Sequence, residues 1–335
     1  MNHQPFEKFP HFDQPVAANG YAWWYVDAVS DDGSEALTLI AFVGSVFSPY
    51  YARARRRAPA DPMEHCAINA VFYSRRGKRW AMTERPGRAV HRSAHSLEIG
   101  PSSVVWDGSS LIFQLDELTV PLPTRLRGQV RIWPTAVTLN EFALDRHGQH
   151  HWRPIAPCAR VEVNLSHPRR QWSGQGYWDS NIGTRPLEQD FDSWNWSRAS
   201  QAEGAVILYE GSYRDTGCFS LALNADRDGN LTPFTPPAPA TLAATRWWRI
   251  ARQTRADGGA AEVVSTLEDT PFYSRSLLTK SLLNRPVTMV HESLSMTRFR
   301  SAWVPRLLPF RMPRAGFSSR PGKLVKPESF RSRVR

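Results

Sequence analysis

The run Gly20-Tyr21-Ala22-Trp23-Trp24-Tyr25-Val26-Asp27-Ala28-Val29-Ser30-Asp31-Asp32-Gly33-Ser34-Glu35-Ala36-Leu37-Thr38-Leu39-Ile40-Ala41-Phe42-Val43-Gly44-Ser45-Val46-Phe47 carries the clearest structural signal in the chain. Asp31-Asp32-Gly33 is a strong turn signal between two runs of β-branched, aromatic and small apolar residues, so 21–29 and 36–46 read as a β-hairpin. Outward from this hairpin the period stays close to two. Residues 66–73 and 79–82 form a second pair around Arg75-Arg76-Gly77-Lys78; 96–99 and 103–106 are short strands; 110–122, 128–133 and 159–165 alternate again. In the second half, 205–213 and 219–224 precede an Asp226-Arg227-Asp228-Gly229 turn, and 246–253 and 261–267 flank Asp257-Gly258-Gly259. The proline- and alanine-rich stretch 232–244 reads as a loop, and only 279–283 and 289–299 hint at short helices. Many short strands with turns every 8–12 residues indicate barrels or sandwiches.

With 335 residues the chain can bury one large or two medium domains. The aromatic-dense region 172–198 falls between two β-rich stretches, which puts a domain boundary near 165–200. The 13 Trp are many for this length. They suit a Trp-rich barrel core or an aromatic-lined cavity for an apolar ligand, and composition leaves both readings open.

Neither a leader-like segment nor a run of eighteen apolar residues is present, and the three cysteines, Cys66, Cys158 and Cys218, are scattered. These features point to a cytoplasmic protein in a reducing compartment. The formal net charge of +11 is uneven: from Arg298 to Arg335 there are eleven Lys or Arg and one acid, Glu328. A nearly neutral body with a basic end fits either a solubilising tail, disordered over 316–335, or peripheral contact with an anionic membrane. No base-reading module accompanies the charge, so nucleic acid is not the expected partner.

Several motifs are rejected on chemical grounds. Asn224-x-Asp226-x-Asp228-Gly229 starts like a calcium loop, but Thr235 stands where a bidentate Glu is required. His147, His150 and His151 lack a fourth ligand at a recognisable spacing. Gly174-Gln175-Gly176 lacks the third glycine and the helix of a dinucleotide site, and there is neither a nucleophile elbow nor a phosphate-binding loop.

What remains is Gly174-Gln175-Gly176-Tyr177-Trp178-Asp179-Ser180-Asn181-Ile182-Gly183 leading to Asp190-Phe191-Asp192-Ser193-Trp194-Asn195-Trp196-Ser197-Arg198. A carboxyl among aromatic faces loses solvation and keeps its proton, as a general acid must. Aromatic faces also stabilise cations. The competing reading has these acids capping turns or pairing with Arg185 or Arg198, and the tryptophans serving as core.

These segments, with 20–27, 40–51, 79–85, 270–276 and 303–314, resemble the acyclic carotenoid 1,2-hydratases (hydroxyneurosporene synthases) over nearly all of residues 15–315. The resemblance implies an all-β fold of two lipocalin-like antiparallel β-barrel or sandwich domains packed together, 15–180 and 181–315, with few short helices. It implies cofactor-independent addition of water to a terminal C1=C2 bond of a neurosporene- or lycopene-type carotenoid. The positions implied as catalytic are His150, Trp152, Tyr177 and Asp179. Where the family motif usually reads Gly-Tyr-His-Asp this chain has Trp178, which shifts the role of that His onto His150 or His151. Asp179 is expected to donate the proton, Tyr177 to bond the acid or the water, and His150 to hold the network or take the proton lost by water. Trp152 would flank the cation, and Trp178, Trp194, Trp196, Trp24 and Tyr273 are expected to bind substrate. A non-catalytic carotenoid-binding lipocalin-like protein is the alternative, followed by an isomerase or cyclase with the same pocket.

Overall fold

A computed structural model describes residues 9–315; the basic segment 316–335 lies outside the described residues. The first sheet contains β1 (Tyr21–Ser30), β2 (Glu35–Val43), β3 (Cys66–Ser74), β4 (Gly77–Arg85), β5 (Val90–Arg92), β6 (Ser96–Ile99), β7 (Ser102–Trp106), β8 (Leu111–Leu118), β9 (Arg125–Pro134), β10 (Phe142–Ala143), β11 (His150–His167) and β12 (Arg169–Gly183). Its order is β4-β3-β2-β1-β12-β11-β9-β8-β7-β6-β5, with β10 on β11. Contact between β4 and β8 brings it close to a closed barrel. The second sheet is made from β13 (Phe191–Gln201), β14 (Gly204–Tyr213), β15 (Cys218–Asp226) and β16 (Leu231–Pro233), followed after the separate hairpin β17 (Pro239–Leu242) and β18 (Arg252–Arg255) by β19 (Ala261–Asp269), β20 (Tyr273–Leu282) and β21 (Arg285–Ser295). Its order is β16-β15-β14-β13-β21-β20-β19. All pairings within the sheets are antiparallel, and the fold is all-β as the sequence indicated. The helices are single turns or little more, the longest being α1 (Pro49–Arg55). No helix among the described residues is long and apolar enough to cross a membrane.

The leading hairpin forms as expected. Gly33 takes the left-handed backbone (φ 67), and Asp32 Oδ1 accepts from Ser30 Oγ at 2.6 Å and from the Ser34 amide at 3.0 Å. The Asp226–Gly229 run is likewise a turn, with Asp226 Oδ1 accepting from the Asp228 and Asn230 amides.

Strand β1 is buried on both faces, and this organises the molecule. Ala22, Trp24, Val26 and Ala28 point into the barrel, against Leu37, Leu39 and Trp178. Tyr21, Trp23 and Tyr25 point outward and are buried against Trp194, Trp196 and Leu294 of the second sheet. The second sheet therefore covers the outer face of the β1–β12 region, and the layer between the sheets is the most aromatic part of the protein. The tryptophans of β1 thus divide between the barrel core and the layer between the sheets, on opposite faces of one strand.

Strand β11 is bent by two bulges, between Arg153 and Ala156 and between Ala156 and Ala159. Each interval contains a proline, Pro154 or Pro157, which cannot donate to the ladder and is tolerated where an extra residue interrupts pairing.

Three expectations are corrected. The helix hints at 279–283 and 289–299 belong to the hairpin β20–β21; only Met296–Phe299 is helical, with Ser295 Oγ accepting from the Arg298 amide. Leu283 and Asn284 turn this hairpin with φ of 55° and 59°, a conformation that a leucine seldom signals. The 232–244 stretch contains β17, which begins at Pro239, and the expected strand 246–253 starts only at Arg252, because 246–249 forms a turn with Arg249 at φ 52.

Candidate active site

Register places the acid. On β12, Tyr177, Asp179, Asn181 and Gly183 alternate toward the second sheet, whereas Trp178 points into the barrel. Asp179 lies opposite Tyr25 of β1, and Asn181 lies between Trp23 of β1 and Trp152 of β11. Trp152 Nε1 donates to Asp179 Oδ2 at 2.9 Å, and the Tyr177 hydroxyl donates to the same oxygen at 2.9 Å. Oδ1 is buried and has no protein partner.

Burial is the largest influence on the Asp179 carboxyl and pushes its pKa up to about 8; the charges of Glu292 and Asp27 add to the rise, and the Trp152 and Tyr177 bonds oppose it. The rise favours the protonated form of the group near neutral pH. Because Oδ2 already accepts two hydrogen bonds, Oδ1 is the oxygen left free to carry a proton.

Asp179 lines a cavity of about 350 Å³ between the two sheets. Its walls include Trp23, Tyr25, Trp194, Trp196, Tyr209 and Phe272. Trp196 packs edge-on to Tyr25 at 5.5 Å between ring centroids and lies 5.1 Å from Tyr177. On the far wall stands Glu292, whose Oε1 accepts from the Tyr25 hydroxyl at 2.9 Å and from Arg275. Arg275 also donates to the Tyr25 oxygen at 2.6 Å and to Asp27 Oδ2 at 3.0 Å, while Arg198 Nη2 stands 2.9 Å from Asp27 Oδ1. This buried ion network bonds β1 to β13, β20 and β21, so the two walls of the cavity are held at a fixed separation.

The sequence-derived site divides on inspection. Asp179, Trp194, Trp196 and Tyr273 line the cavity, and Trp152 and Tyr177 support Asp179 from behind. Trp24 and Trp178 do not reach it; both belong to the barrel core, Trp24 against Phe12 and Trp178 against Phe9 and Trp106. Strand alternation sends them to the face opposite Asp179.

His150 bonds other partners than Asp179. It pairs with Gly183, two residues along β11 from Trp152, and is not among the cavity-lining residues. Nε2 bonds Asp190 Oδ2 at 2.7 Å and Nδ1 bonds the Tyr21 hydroxyl at 2.8 Å, so both ring nitrogens are engaged, which also disfavours a metal-ligand role. Burial, outweighing Asp190, lowers its pKa. A Cβ on Gly183 would lie 2.4 Å from Tyr21 Cε1 and 2.8 Å from His150 Nδ1; glycine leaves the space that this bond crosses. The turn-and-pairing reading holds for Asp190, which meets Arg185 at 3.1 Å, but not for Asp179, which forms no ion pair among the described residues.

Glu292, Arg275, Tyr25 and Tyr209 were missed by the sequence reading. Glu292 is the one acid of β21, a signal hidden by reading 289–299 as helical.

The model of the family described as carotenoid hydratase CrtC matches residues 39–319. The chain belongs to this family. Curated relatives named acyclic carotenoid 1,2-hydratase include the protein of Thiocapsa roseopersicina, 50% identical over 92% of this chain and 76% of its own length. That of Rubrivivax gelatinosus is 48% identical over 91% of this chain and 76% of its own, and that of Cereibacter sphaeroides 39% identical over 82% and 98%. Among solved structures, a putative AttH from Nitrosomonas europaea superposes with a TM-score of 0.56 at 13% identity, covering 86% of this chain and 96% of that one. CghA in complex with Sch210972 gives 0.54 at 13% identity, covering 83% and 89%. These two likenesses speak for the fold of this CrtC-family chain alone.

Proposed function

We propose that the protein is an acyclic carotenoid 1,2-hydratase in which Asp179 is the proton donor. The observation that carries the assignment is the buried Asp179 carboxyl, its Oδ1 unpartnered, in an aromatic cavity. Alkene hydration leaves the oxidation level unchanged, so the step calls for acid and water rather than a redox partner. Oδ1–H protonates C2 of the terminal C1=C2 bond, and the π-electrons form the new C–H bond. The positive charge falls on tertiary C1, facing Trp23, Trp194 and Trp196, each such cation–π contact being worth up to about 2 kcal/mol in a dry site. Water adds to C1, and its surplus proton passes to Glu292, the carboxylate of the far wall and a better-placed acceptor than His150. Exchange through solvent then returns a proton to Asp179. Trp152 and Tyr177 act as positioning residues through Oδ2, and Trp194, Trp196 and Tyr273 hold the polyene.

A carotenoid dissolves in lipid, so the reaction takes place at a membrane surface, which the basic character of the chain from Arg298 onward favours. The deciding experiment is incubation of purified protein with lycopene or neurosporene, without added cofactor, followed by chromatography and mass detection. A product heavier by one water, carrying label from heavy-oxygen water, is expected. Pigment bound tightly with unchanged mass would replace this reading with that of a binding protein, and a changed chromatogram at constant mass with that of an isomerase or cyclase.

A further inference from the structure

Three pieces of chain surround the entrance to the Asp179 cavity. They are the loop at 246–249, the β19–β20 turn from Asp269 to Phe272, and the C-terminal turns containing the short helix Val304–Leu307. Trp248, Leu307 and Arg311 line the cavity, so these segments form its rim. They are mutually fixed. Asp269 Oδ2 accepts from the Trp247 amide at 2.8 Å, Trp248 stacks on Trp303 at 5.7 Å and 16°, and Arg298 donates to the Trp248 carbonyl at 2.5 Å.

On this rigid frame stand large apolar side chains that face solvent: Trp247 and Phe310, each 76% exposed, with Trp303 at 43% and Leu307 at 40%. Four of the largest exposed apolar side chains of the described chain thus gather at one rim, where scattered single ones would need no explanation. Exposed arginines Arg246, Arg249 and Arg306 are interleaved with them, and Arg246 lies over the Trp247 ring at 5.2 Å. Neighbouring Arg300, Arg311 and Arg314 are tied to Asp192, Glu268 and Glu84. Arg246, Arg249 and Arg306 have no carboxylate partner among the described residues, and Asp269 is occupied by the Trp247 and Trp248 amides.

We propose that this rim is the docking surface for an anionic lipid bilayer, with Trp247, Trp303, Leu307 and Phe310 entering the headgroup region and Arg246, Arg249 and Arg306 meeting lipid phosphates. Tryptophan and phenylalanine beside arginine match the interface, where apolar bodies sit below charged headgroups. Docked in this way, the cavity opens toward the hydrocarbon, and an apolar substrate passes from lipid to Asp179 without crossing water. The surface belongs to the folded body and is separate from the basic residues beyond 315. The proposal rests on the hydratase reading for the identity of what enters, but not for the binding itself.

The test uses the full chain and two variants, Trp247→Ser/Phe310→Ser and Arg246→Gln/Arg249→Gln/Arg306→Gln, none of these residues lining the cavity. Flotation is measured with vesicles of phosphatidylcholine alone and with roughly one third phosphatidylglycerol, and turnover with carotenoid in those vesicles and in detergent micelles. The wild type should float with anionic vesicles and be released by salt. Each variant should lose more than about tenfold in vesicle partition and in vesicle turnover, while micelle turnover stays within about twofold and shows the variants to be folded. Wild-type partition in both variants would overturn the proposal and give the binding to another part of the chain. A dimer in light scattering that the Trp247→Ser/Phe310→Ser variant splits would overturn it in favour of a second copy. If no water is added in micelles or vesicles while flotation behaves as described, docking stands and the hydratase reading falls.

Discussion

Trp152 Nε1 and Tyr177 Oη converge on one oxygen of Asp179, each at 2.9 Å, from adjacent strands. The convergence gives the two carboxyl oxygens different tasks. Oδ2 is anchored and Oδ1 carries the transferable proton. Replacing Asp179 by Asn keeps the size and both accepted bonds but removes that proton. Turnover of Asp179→Asn should fall by about a thousandfold or more, within the range of a lost general acid, with an unchanged near-ultraviolet circular dichroism spectrum. Retained turnover would rule Asp179 out as donor.

The elevated pKa fixes the pH dependence. Turnover requires the protonated acid, so kcat should fall about tenfold per unit above about 8, in a rate profile with substrate in micelles. Stability follows the same proton. The folded state binds it up to about pH 8 and the unfolded chain only to about 4. The unfolding free energy should therefore decrease as pH rises through that window, and Asp179→Asn should lack this contribution in urea titrations at several pH values.

Trp152→Phe keeps an aromatic ring, smaller than the indole, and deletes the Nε1–H donor. The Asp179 carboxylate loses a bond that favours it, so its pKa rises further and the alkaline limb should move to higher pH. A fall of about tenfold in kcat with little change in KM is expected from the lost alignment. A uniform loss without movement of the limb would mark Trp152 as packing only.

Trp178→Phe provides the contrasting case. The ring contacts Phe9 and Trp106 inside the barrel, so the substitution should cost about 1–3 kcal/mol of stability in urea unfolding through lost packing, with turnover within about twofold of wild type. A large loss of turnover at full stability would return Trp178 to the site.

Gly183→Ala tests the Tyr21–His150 bond. The added methyl has no room between the two rings, and overpacking of this kind costs about 1–3 kcal/mol. A lowered melting temperature is the expected reading, accompanied by easier titration of His150 in a nitrogen-15 spectrum.

The hairpin 21–46 was legible because two runs of β-branched, aromatic and small apolar residues flank an Asp-Gly turn there. Asp179 was legible because a carboxyl between aromatics is chemically conspicuous. Trp178 was misplaced for the opposite reason: its nearness to Tyr177 and Asp179 in sequence is the very thing that sends it to the other face of β12. Glu292 and Arg275 were hidden because their partners, Tyr25 and Asp27, lie on β1, far away in sequence. Long-range ion pairs leave no local pattern. The β20–β21 turn was missed because Leu283 adopts a backbone that its side chain does not advertise.

On the proposed reading, the cavity of about 350 Å³ also bears on the order of products. A long polyene, comparable in length to the roughly 30 Å hydrocarbon core of a bilayer, can place only one tip beside Asp179 while its remainder stays in lipid. A molecule with two reactive ends must leave, turn round and enter again. On the proposed reading the enzyme is expected to be distributive: in a time course, singly hydroxylated pigment should accumulate ahead of doubly hydroxylated pigment.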